Sequence, residues 1–232
     1  ERHAHSDLGR ATANTLADIR ARLQLNPADR VFGISSLSFD LAIFDLFATL
    51  GAGATLVLPQ QQGMRDAAHW WQLLQQHQVT CWNSVPSLLA MLLEYGRSIG
   101  ATLPQLRAIM LSGDWIGREL VTAIPPLAPA ARIIAMGGAT EAAIWSNWFD
   151  VDPQQADWHA VPYGYPLANQ RYYVLDAQGR DRPAGVAGDL FIAGSGLAAG
   201  YWRDSVRSDA AFIHHPRSGE RLYRTGDLAR YD

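Results

Sequence analysis

The sequence predicts an α/β fold, with a mostly parallel sheet flanked by helices and a smaller β-rich lobe packed against it. Over the first 150 residues, short apolar runs of strand length alternate with longer segments of helical spacing. After Asp150 the long helical segments disappear, and Gly, Pro and Asp separate short apolar runs. The content of 48% hydrophobic and 18% charged residues indicates a folded chain with a substantial core. We therefore expect an α/β part over 1–150 and a β-rich part over 151–232, without a flexible linker.

The alternation in the first part can be followed residue by residue. Helical spacing before Pro27 predicts the first helix, and Pro59 ends a strand. The sequence Gly51-Ala52-Gly53-Ala54 predicts the end of a helix, because glycine favours the helix C-terminus. The predicted elements are helix 18–25, strand 30–36, helix 38–50, strand 55–58, helix 67–77, strand 79–82, helix 87–95, strand 106–111, helix 116–123 and strand 132–135. The second part adds strands 172–175 and 189–193.

Composition and charge narrow the functional classes. A net charge of -3 provides no general basic surface, so neither nucleic acid nor an anionic membrane is an expected partner. No apolar run approaches the roughly 20 residues of a membrane span. The single cysteine, Cys81, lies in an apolar run and predicts a buried thiol and a reducing, cytoplasmic location. The seven histidines show no zinc-ligand spacing.

A Gly-Gly turn follows the predicted strand at 132–135. Glycine lets the backbone approach a ligand closely at the carboxyl end of a sheet strand. Thr140 offers a hydroxyl for a phosphate oxygen, and Glu141 offers the hard oxygen ligand that Mg²⁺ prefers. Taken alone, the segment is weak evidence for a ligand site, and a simple tight turn is the favoured interpretation.

Two further segments carry glycine. The run 194–201 follows a predicted strand but lacks the Lys and Ser/Thr of a phosphate loop, which favours a structural turn. In the segment 223–228, the carboxylate of Asp227 beside Gly226 suits the paired hydroxyls of a ribose. An Asx turn is the competing interpretation of Asp227.

Taken in order, four segments resemble successive core motifs of the adenylation domains of non-ribosomal peptide synthetases. They are Ser36-Leu37-Ser38-Phe39-Asp40, Gly137-Gly138-Ala139-Thr140-Glu141, the run 188–202 and the run 223–230. The resemblance implies the large subdomain of an adenylate-forming, luciferase-like fold. It also implies that the protein activates an amino acid with ATP and Mg²⁺ as the aminoacyl adenylate. The acyl group would then pass to the phosphopantetheine thiol of a peptidyl-carrier domain, beside condensation or cyclisation domains of the same synthetase.

The resemblance also assigns roles to residues. Asp40 would hold the α-ammonium of the substrate, although an aspartate there also suits a helix N-cap. Thr140 and Glu141 would be the catalytic residues, contacting the α-phosphate and, through Glu141, the Mg²⁺ ion. Asp227 would bind the ribose. The nucleotide and substrate slots would also be lined by Gly113, Gly137, Gly138 and Ala139.

The positions that select the substrate in this family resemble the cysteine pattern of siderophore synthetases of the pyochelin and yersiniabactin type. Phe44 replaces a Tyr of that pattern and Met136 replaces a Leu. The set describes a small, mostly apolar cavity that suits a thiol, although alanine, serine and ordinary core packing remain open alternatives. The positions are Asp40, Leu41, Phe44, Asn83, Met110, Ser112, Met136, Ile144 and Trp145.

The chain departs from the family at the Gly-Gly turn. The family usually carries an aromatic residue at Gly137 and a Pro at Ala139, so adenine would lose one stacking face. The version with two glycines is nevertheless associated with cysteine-activating domains.

The family's triphosphate loop and its C-terminal lobe with the catalytic lysine are not found in these 232 residues. We therefore expect this segment alone to be inactive. Two alternatives remain at this stage: an acyl-CoA synthetase or related ligase, and a catalytically silent scaffold.

Overall fold

The structure, a computed structural model, describes residues 8–155, 158 and 161–232. Its helices are α1 (Leu8–Leu23), α2 (Leu41–Ile43), α3 (Thr49–Gly51), α4 (Ala67–Gln76), α5 (Pro86–Ser98), α6 (Arg118–Ala123) and α7 (Ser205–Ala211). A π-helical turn, Phe44–Ala48, joins α2 to α3, and 3₁₀ turns lie at Gln61–Gly63 and Thr140–Ala142. The strands are β1 (Arg30–Gly33), β2 (Thr55–Val57), β3 (Cys81–Ser84), β4 (Ala108–Leu111), β5 (Arg132–Ala135), β6 (Asn147–Val151), β7 (Tyr165–Pro166), β8 (Gln170–Leu175), β9 (Gly188–Gly194), β10 (Phe212–His214) and β11 (Arg221–Ala229).

These elements form two compact units that alternate along the chain. The α/β unit comprises residues 19–137 and 148–165, and the β-rich unit comprises the described residues of 1–18, 138–147 and 166–232. These units do not coincide with the division at residue 150, which stays a prediction about domains. None of the helices in the described residues is both long and apolar enough to cross a membrane.

The seven-stranded sheet has the order β2-β1-β3-β4-β5-β6-β7. Neighbouring strands from β2 to β5 are parallel, and β6 pairs with β5 in the antiparallel direction. The inner strands β3 and β4 are buried along their whole length, as expected of a parallel sheet covered on both faces. The predicted mostly parallel sheet is thus confirmed.

One face of this sheet packs against α4, α5 and α6. Trp82 of β3 stacks on Phe32 of β1 with 5.3 Å between ring centroids, and Trp70 of α4 lies 6.2 Å from Trp82. All three rings are fully buried. Because side chains alternate along a strand, the neighbours of Trp82, namely Cys81 and Asn83, face the opposite side of the sheet.

The β-rich unit contains a four-stranded antiparallel sheet of order β10-β11-β9-β8. Its two faces carry separate small cores, as the alternation of β9 shows. Ile192 packs with Phe212 and Tyr223, whereas the adjacent Phe191 packs with Leu222. The predicted β-rich lobe is confirmed.

All five predicted helices differ from their observed bounds, and two of them differ substantially. The first begins at Leu8 rather than at residue 18, because Ala11 and Thr15 extend the buried stripe of Ile19 at four-residue spacing. A small and a polar residue on that stripe hide its apolar periodicity. The helix predicted over 38–50 begins at Leu41 and is interrupted by the π-helical turn.

Candidate active site

Four of the predicted substrate residues lie at the carboxyl edge of the parallel sheet. Asn83 of β3 pairs in register with Met110 of β4, and Ser112 follows two positions later, so it faces the same side as Met110. The backbone N–H of Met136 donates to the carbonyl of Leu111 at 2.9 Å, which continues the ladder beyond β5. All four predicted residues are at most 4% exposed. The sheet therefore brings these residues of three strands to one edge, where open α/β sheets bind ligands.

Gly113 directly follows this row. Its φ of +80° lies in the left-handed region that favours glycine, and an added Cβ would also meet Cγ1 of Val85 at 3.3 Å. The turn at Gly113 lies two residues beyond the end of β4.

The segment after β1 carries three further predicted substrate residues. Leu41 and Phe44 are buried, and Asp40 is half-buried immediately before α2. The Asp40 carboxylate makes no capping hydrogen bond to this helix, so the N-cap interpretation of Asp40 finds no support. The side chain's role toward a substrate stays a prediction.

A buried carboxyl that the sequence analysis did not single out lies in the π-helical turn. Asp45 is 3% exposed, and its Oδ1 accepts a hydrogen bond from Nδ2 of Asn83 at 2.8 Å. Burial raises the pKa of Asp45 to about 7, against the lowering effect of hydrogen bonding with Asn83 and Ser35. This bond ties the helical segment to the sheet face that carries Asn83.

Gly137 has an aromatic neighbour from a distant part of the chain. A Cβ added at Gly137 would lie 2.7 Å from Cε2 of Tyr163, so the tyrosine ring occupies the space of a side chain at this position. Tyr163 is 38% exposed, which leaves part of its ring open to solvent. The Gly-Gly turn has no aromatic residue of its own, but the ring of Tyr163 lies beside it.

In the β-rich unit, the residues after the Gly-Gly turn form a strained loop. Ile144 has a φ of +76°, which is a genuine outlier for a β-branched residue. The backbone N–H of Trp145 donates a hydrogen bond of 3.0 Å to the carbonyl of Ala143. This bond closes a three-residue turn with Ile144 at its centre. An added Cβ at Gly138 would lie 2.7 Å from Cα of Trp145, so only glycine fits there. Ile144 and Trp145 are buried, and Ala139 is half-buried.

Glu141 is bound to the second Gly-rich segment at two points. Its Oε1 accepts a hydrogen bond from the Tyr201 hydroxyl at 2.5 Å, and its backbone carbonyl accepts one from the N–H of Ala198 at 2.8 Å. Desolvation and the carboxylate of Glu141 raise the pKa of Tyr201. The pKa of Tyr223 is raised for the same reasons. Both phenols therefore stay neutral beside Glu141, and Tyr201 acts as a hydrogen-bond donor to it.

Thr140 is exposed at the start of the same 3₁₀ turn. Asp227 lies on an exposed irregularity of β11, where the register with β9 shifts between Arg224 and Leu228. Its backbone N–H donates to Oγ1 of Thr225 at 3.0 Å. The ribose role of Asp227 stays a prediction.

The donor set can be tested for Mg²⁺. Among the described residues, no group of three or more His, Cys, Asp or Glu side chains could hold a metal ion by itself. Mg²⁺ on nucleotides needs only one or two carboxylates, because phosphates and water supply the remaining ligands. The half-buried, hydrogen-bonded Glu141 fits that limited requirement.

The mostly parallel seven-stranded sheet and the antiparallel β-rich lobe are the fold of an adenylate-forming domain. The chain belongs to the family described as AMP-binding enzyme, whose pattern matches residues 3–202.

Two relatives and one solved structure illustrate the match. The chain is 47% identical over 219 residues to the anguibactin system regulator of Vibrio anguillarum, covering 94% of this chain and 21% of that protein. It is 47% identical over 222 residues to pyochelin synthetase PchE of Pseudomonas aeruginosa, covering 95% and 15%. The non-ribosomal peptide synthetase FmoA3, in a form bound to α-methyl-L-serine-AMP, superposes with a TM-score of 0.91 at 40% identity, covering 95% of this chain and 25% of that one. The chain thus spans about a fifth or less of these curated relatives.

Proposed function

We propose that this chain is the selecting part of an adenylation domain that activates a small amino acid, L-cysteine, for loading onto a carrier-protein phosphopantetheine thiol. The observation that carries the proposal is the buried row of Asn83, Met110, Ser112 and Met136 at the carboxyl edge of the sheet. Its members combine polarizable apolar surface with two polar side chains. Such a lining suits a compact thiol better than a charged or large side chain.

The likeness to FmoA3 supports this choice. One form of that synthetase is bound to α-methyl-L-serine-AMP, the adenylate of a small amino acid with a polar side chain. Another form is bound to AMPPNP, which supports ATP as the nucleotide. Cysteine and serine side chains are similar in size, and both offer a hydrogen-bond donor.

The proposed reaction is adenylate formation. A carboxylate oxygen of the amino acid attacks the α-phosphorus of ATP, the bond from that phosphorus to the bridging oxygen breaks, and pyrophosphate leaves. Asp40 holds the α-ammonium group, because an ionised carboxylate is its natural partner. Leu41, Phe44, Ile144 and Trp145 are the remaining substrate residues that the family resemblance assigns.

The nucleotide is assigned to the Gly-rich turns. Thr140 binds the α-phosphate, Glu141 holds Mg²⁺, and Asp227 binds the ribose hydroxyls. Mg²⁺ supplies charge stabilisation to the phosphate oxygens when bound. Gly113, Gly137, Gly138 and Ala139 allow close approach of backbone to the nucleotide, and the ring of Tyr163 beside Gly137 offers a stacking surface for adenine.

Amino-acid-dependent ATP–pyrophosphate exchange by the full-length protein, with each proteinogenic amino acid, tests this proposal. We expect cysteine to give the highest kcat/KM, with serine and alanine next. Asp40→Ala should abolish exchange, whereas Asp209→Ala, which removes an exposed carboxylate from α7, should leave it unchanged.

Three results would contradict parts of the proposal. A preference for serine or alanine refutes cysteine alone. Activation of carboxylic acids that lack an amine, insensitive to Asp40→Ala, supports the acyl-CoA synthetase alternative. Failure to bind either ATP or an aminoacyl-adenylate analogue supports a silent scaffold.

A further inference from the structure

Asp45 is a buried acid without a function in the scheme above. It lies next to the predicted substrate residue Phe44, in the only π-helical turn of the described residues. Such turns are rare and occur frequently at functional sites. The side chain faces the sheet, where Asn83 is its hydrogen-bond partner at 2.8 Å.

The bond to Asp45 fixes the orientation of the Asn83 amide. An amide group has one end that donates and one end that accepts, so directing Nδ2 toward the carboxyl directs Oδ1 away from it. Asn83 is fully buried, and its Oδ1 has no hydrogen-bond partner within the described residues. A buried acceptor without a partner is costly, and buried polar groups are normally satisfied. This atom therefore calls for a donor that the described residues do not supply.

The position of Asn83 indicates what that donor is. The residue lies in register with Met110, in the row to which Ser112 and Met136 also belong. If this row lines the amino-acid site, a bound side chain with an S–H or O–H group can donate to Oδ1. A methyl group of the same size cannot, and it would leave the acceptor unpaired.

We propose that Asp45 is a positioning residue that fixes the Asn83 amide so that its Oδ1 accepts a hydrogen bond from the side chain of the bound amino acid. This inference rests on the proposed function, since it requires the Asn83 row to be the substrate site. Asp45 itself need not touch the substrate.

The test compares cysteine with L-2-aminobutyrate, in which a methyl group replaces the thiol. The measurement is kcat/KM for ATP–pyrophosphate exchange by the full-length protein with each substrate. We expect Asp45→Leu to reduce the ratio of cysteine to L-2-aminobutyrate about tenfold, because the released amide no longer presents Oδ1. Asp45→Asn keeps an oxygen that accepts from Asn83 Nδ2, so it should retain most of the ratio.

Thr49→Val is the matched control. Thr49 follows the π-helical turn, is fully buried, and its hydroxyl is also without a partner among the described residues. This variant should leave the substrate ratio unchanged, because Thr49 does not bond to Asn83. Thermal unfolding of each variant checks that the protein is folded, and Asp45→Ala replaces Asp45→Leu if the leucine variant does not fold.

The outcomes separate this inference from the function on which it rests. A wild-type protein that activates neither cysteine nor another small amino acid overturns the proposed function. A wild-type preference for cysteine, with both substrates impaired by the same factor in Asp45→Leu or Asp45→Ala, overturns the positioning role. An Asp45→Asn variant that loses the ratio as fully as Asp45→Leu overturns it as well.

Discussion

A partly buried ion pair at the end of the sheet opposite to the candidate site provides a quantitative prediction. Arg107 donates two hydrogen bonds of 2.7 Å to Asp29, one to each carboxylate oxygen, and a third to the carbonyl of Leu23. Asp29 also accepts from the hydroxyl of Thr80 and from the backbone and side chain of Asn26. The carboxylate thus connects the starts of neighbouring strands to the end of α1. Its replacement, Asp29→Asn, removes the charge while preserving the shape.

The expected cost follows from burial. The Asp29 side chain is 4% exposed and that of Arg107 is 37% exposed. Losing one partner of a buried pair costs about 3–5 kcal/mol, and a single hydrogen bond to a charged group contributes about 1.5–3 kcal/mol. Because water reaches part of the guanidinium, we expect Asp29→Asn to lower the free energy of unfolding by about 2–4 kcal/mol.

Urea denaturation followed by tryptophan fluorescence measures this loss. The matched control is Asp150→Asn, since Arg132 and Asp150 form a similar two-point pair with side chains 46% and 51% exposed. We expect the control to cost less than about 1 kcal/mol. Equal losses in both variants, or a loss below about 1 kcal/mol in Asp29→Asn, would refute the reasoning from burial.

The pH dependence of the unfolding free energy tests the same ion pair independently. Burial opposes ionisation of Asp29, but the hydrogen bonds from Arg107, Asn26 and Thr80, together with the charge of Arg107, outweigh it and lower the pKa of this carboxyl. Its contribution is therefore complete above the ordinary carboxyl pKa and is lost as the pH falls through the lowered pKa of the folded state. In Asp29→Asn, this loss of stability at low pH should disappear.

Three other predictions concern the candidate site. Asp45 has a pKa of about 7, far above its usual 3.8, so the folded state retains a proton that the unfolded state releases. Unfolding free energy should fall by up to about 4 kcal/mol as the pH rises from about 4 to about 7, and this decline should disappear in Asp45→Asn by urea denaturation at each pH. Tyr201→Phe removes the hydrogen bond to Glu141 and should raise the Mg²⁺ concentration for half-maximal exchange about tenfold, measured by Mg²⁺ titration; an unchanged value would contradict the positioning of Glu141. Gly138→Ala should cost at least about 2 kcal/mol in urea denaturation, because the new Cβ meets backbone; a neutral variant would contradict the close approach.

The sheet was predictable because its strands are short apolar runs bounded by Pro and Gly. β5 was predicted at its observed bounds, and the order of helices and strands in the α/β unit is confirmed. The π-helical turn was not, since the apolar spacing of 38–50 gives no sign of a change in hydrogen-bond pattern. The alternation of the two compact units along the chain also leaves no local mark in the sequence, because the units are defined by contacts between residues far apart in sequence. The predicted division at residue 150 stays a prediction.

The same distinction applies to the site. The family resemblance assigned roles to Asn83 and Glu141, and these roles stay predictions. Asp45 and Tyr201 escaped assignment because their importance comes from one tertiary hydrogen bond each. A cue existed for Asp45, since an acidic residue on the buried face of an apolar helical segment needs a partner.

At Gly137 the sequence correctly shows that an aromatic residue is absent, but it does not show that the ring of Tyr163 lies beside this position. Motif comparison predicted the loss of a ring, and the chain does lack one at that position. The ring of Tyr163 fills the space in which a Gly137 side chain would lie, so glycine is what allows the tyrosine to be there. A Cβ at position 137 would lie only 2.7 Å from Cε2 of Tyr163, so any other residue there would have to displace the tyrosine ring. The two residues therefore form one packing unit, and an aromatic surface beside the turn depends on residue 163 rather than on residue 137.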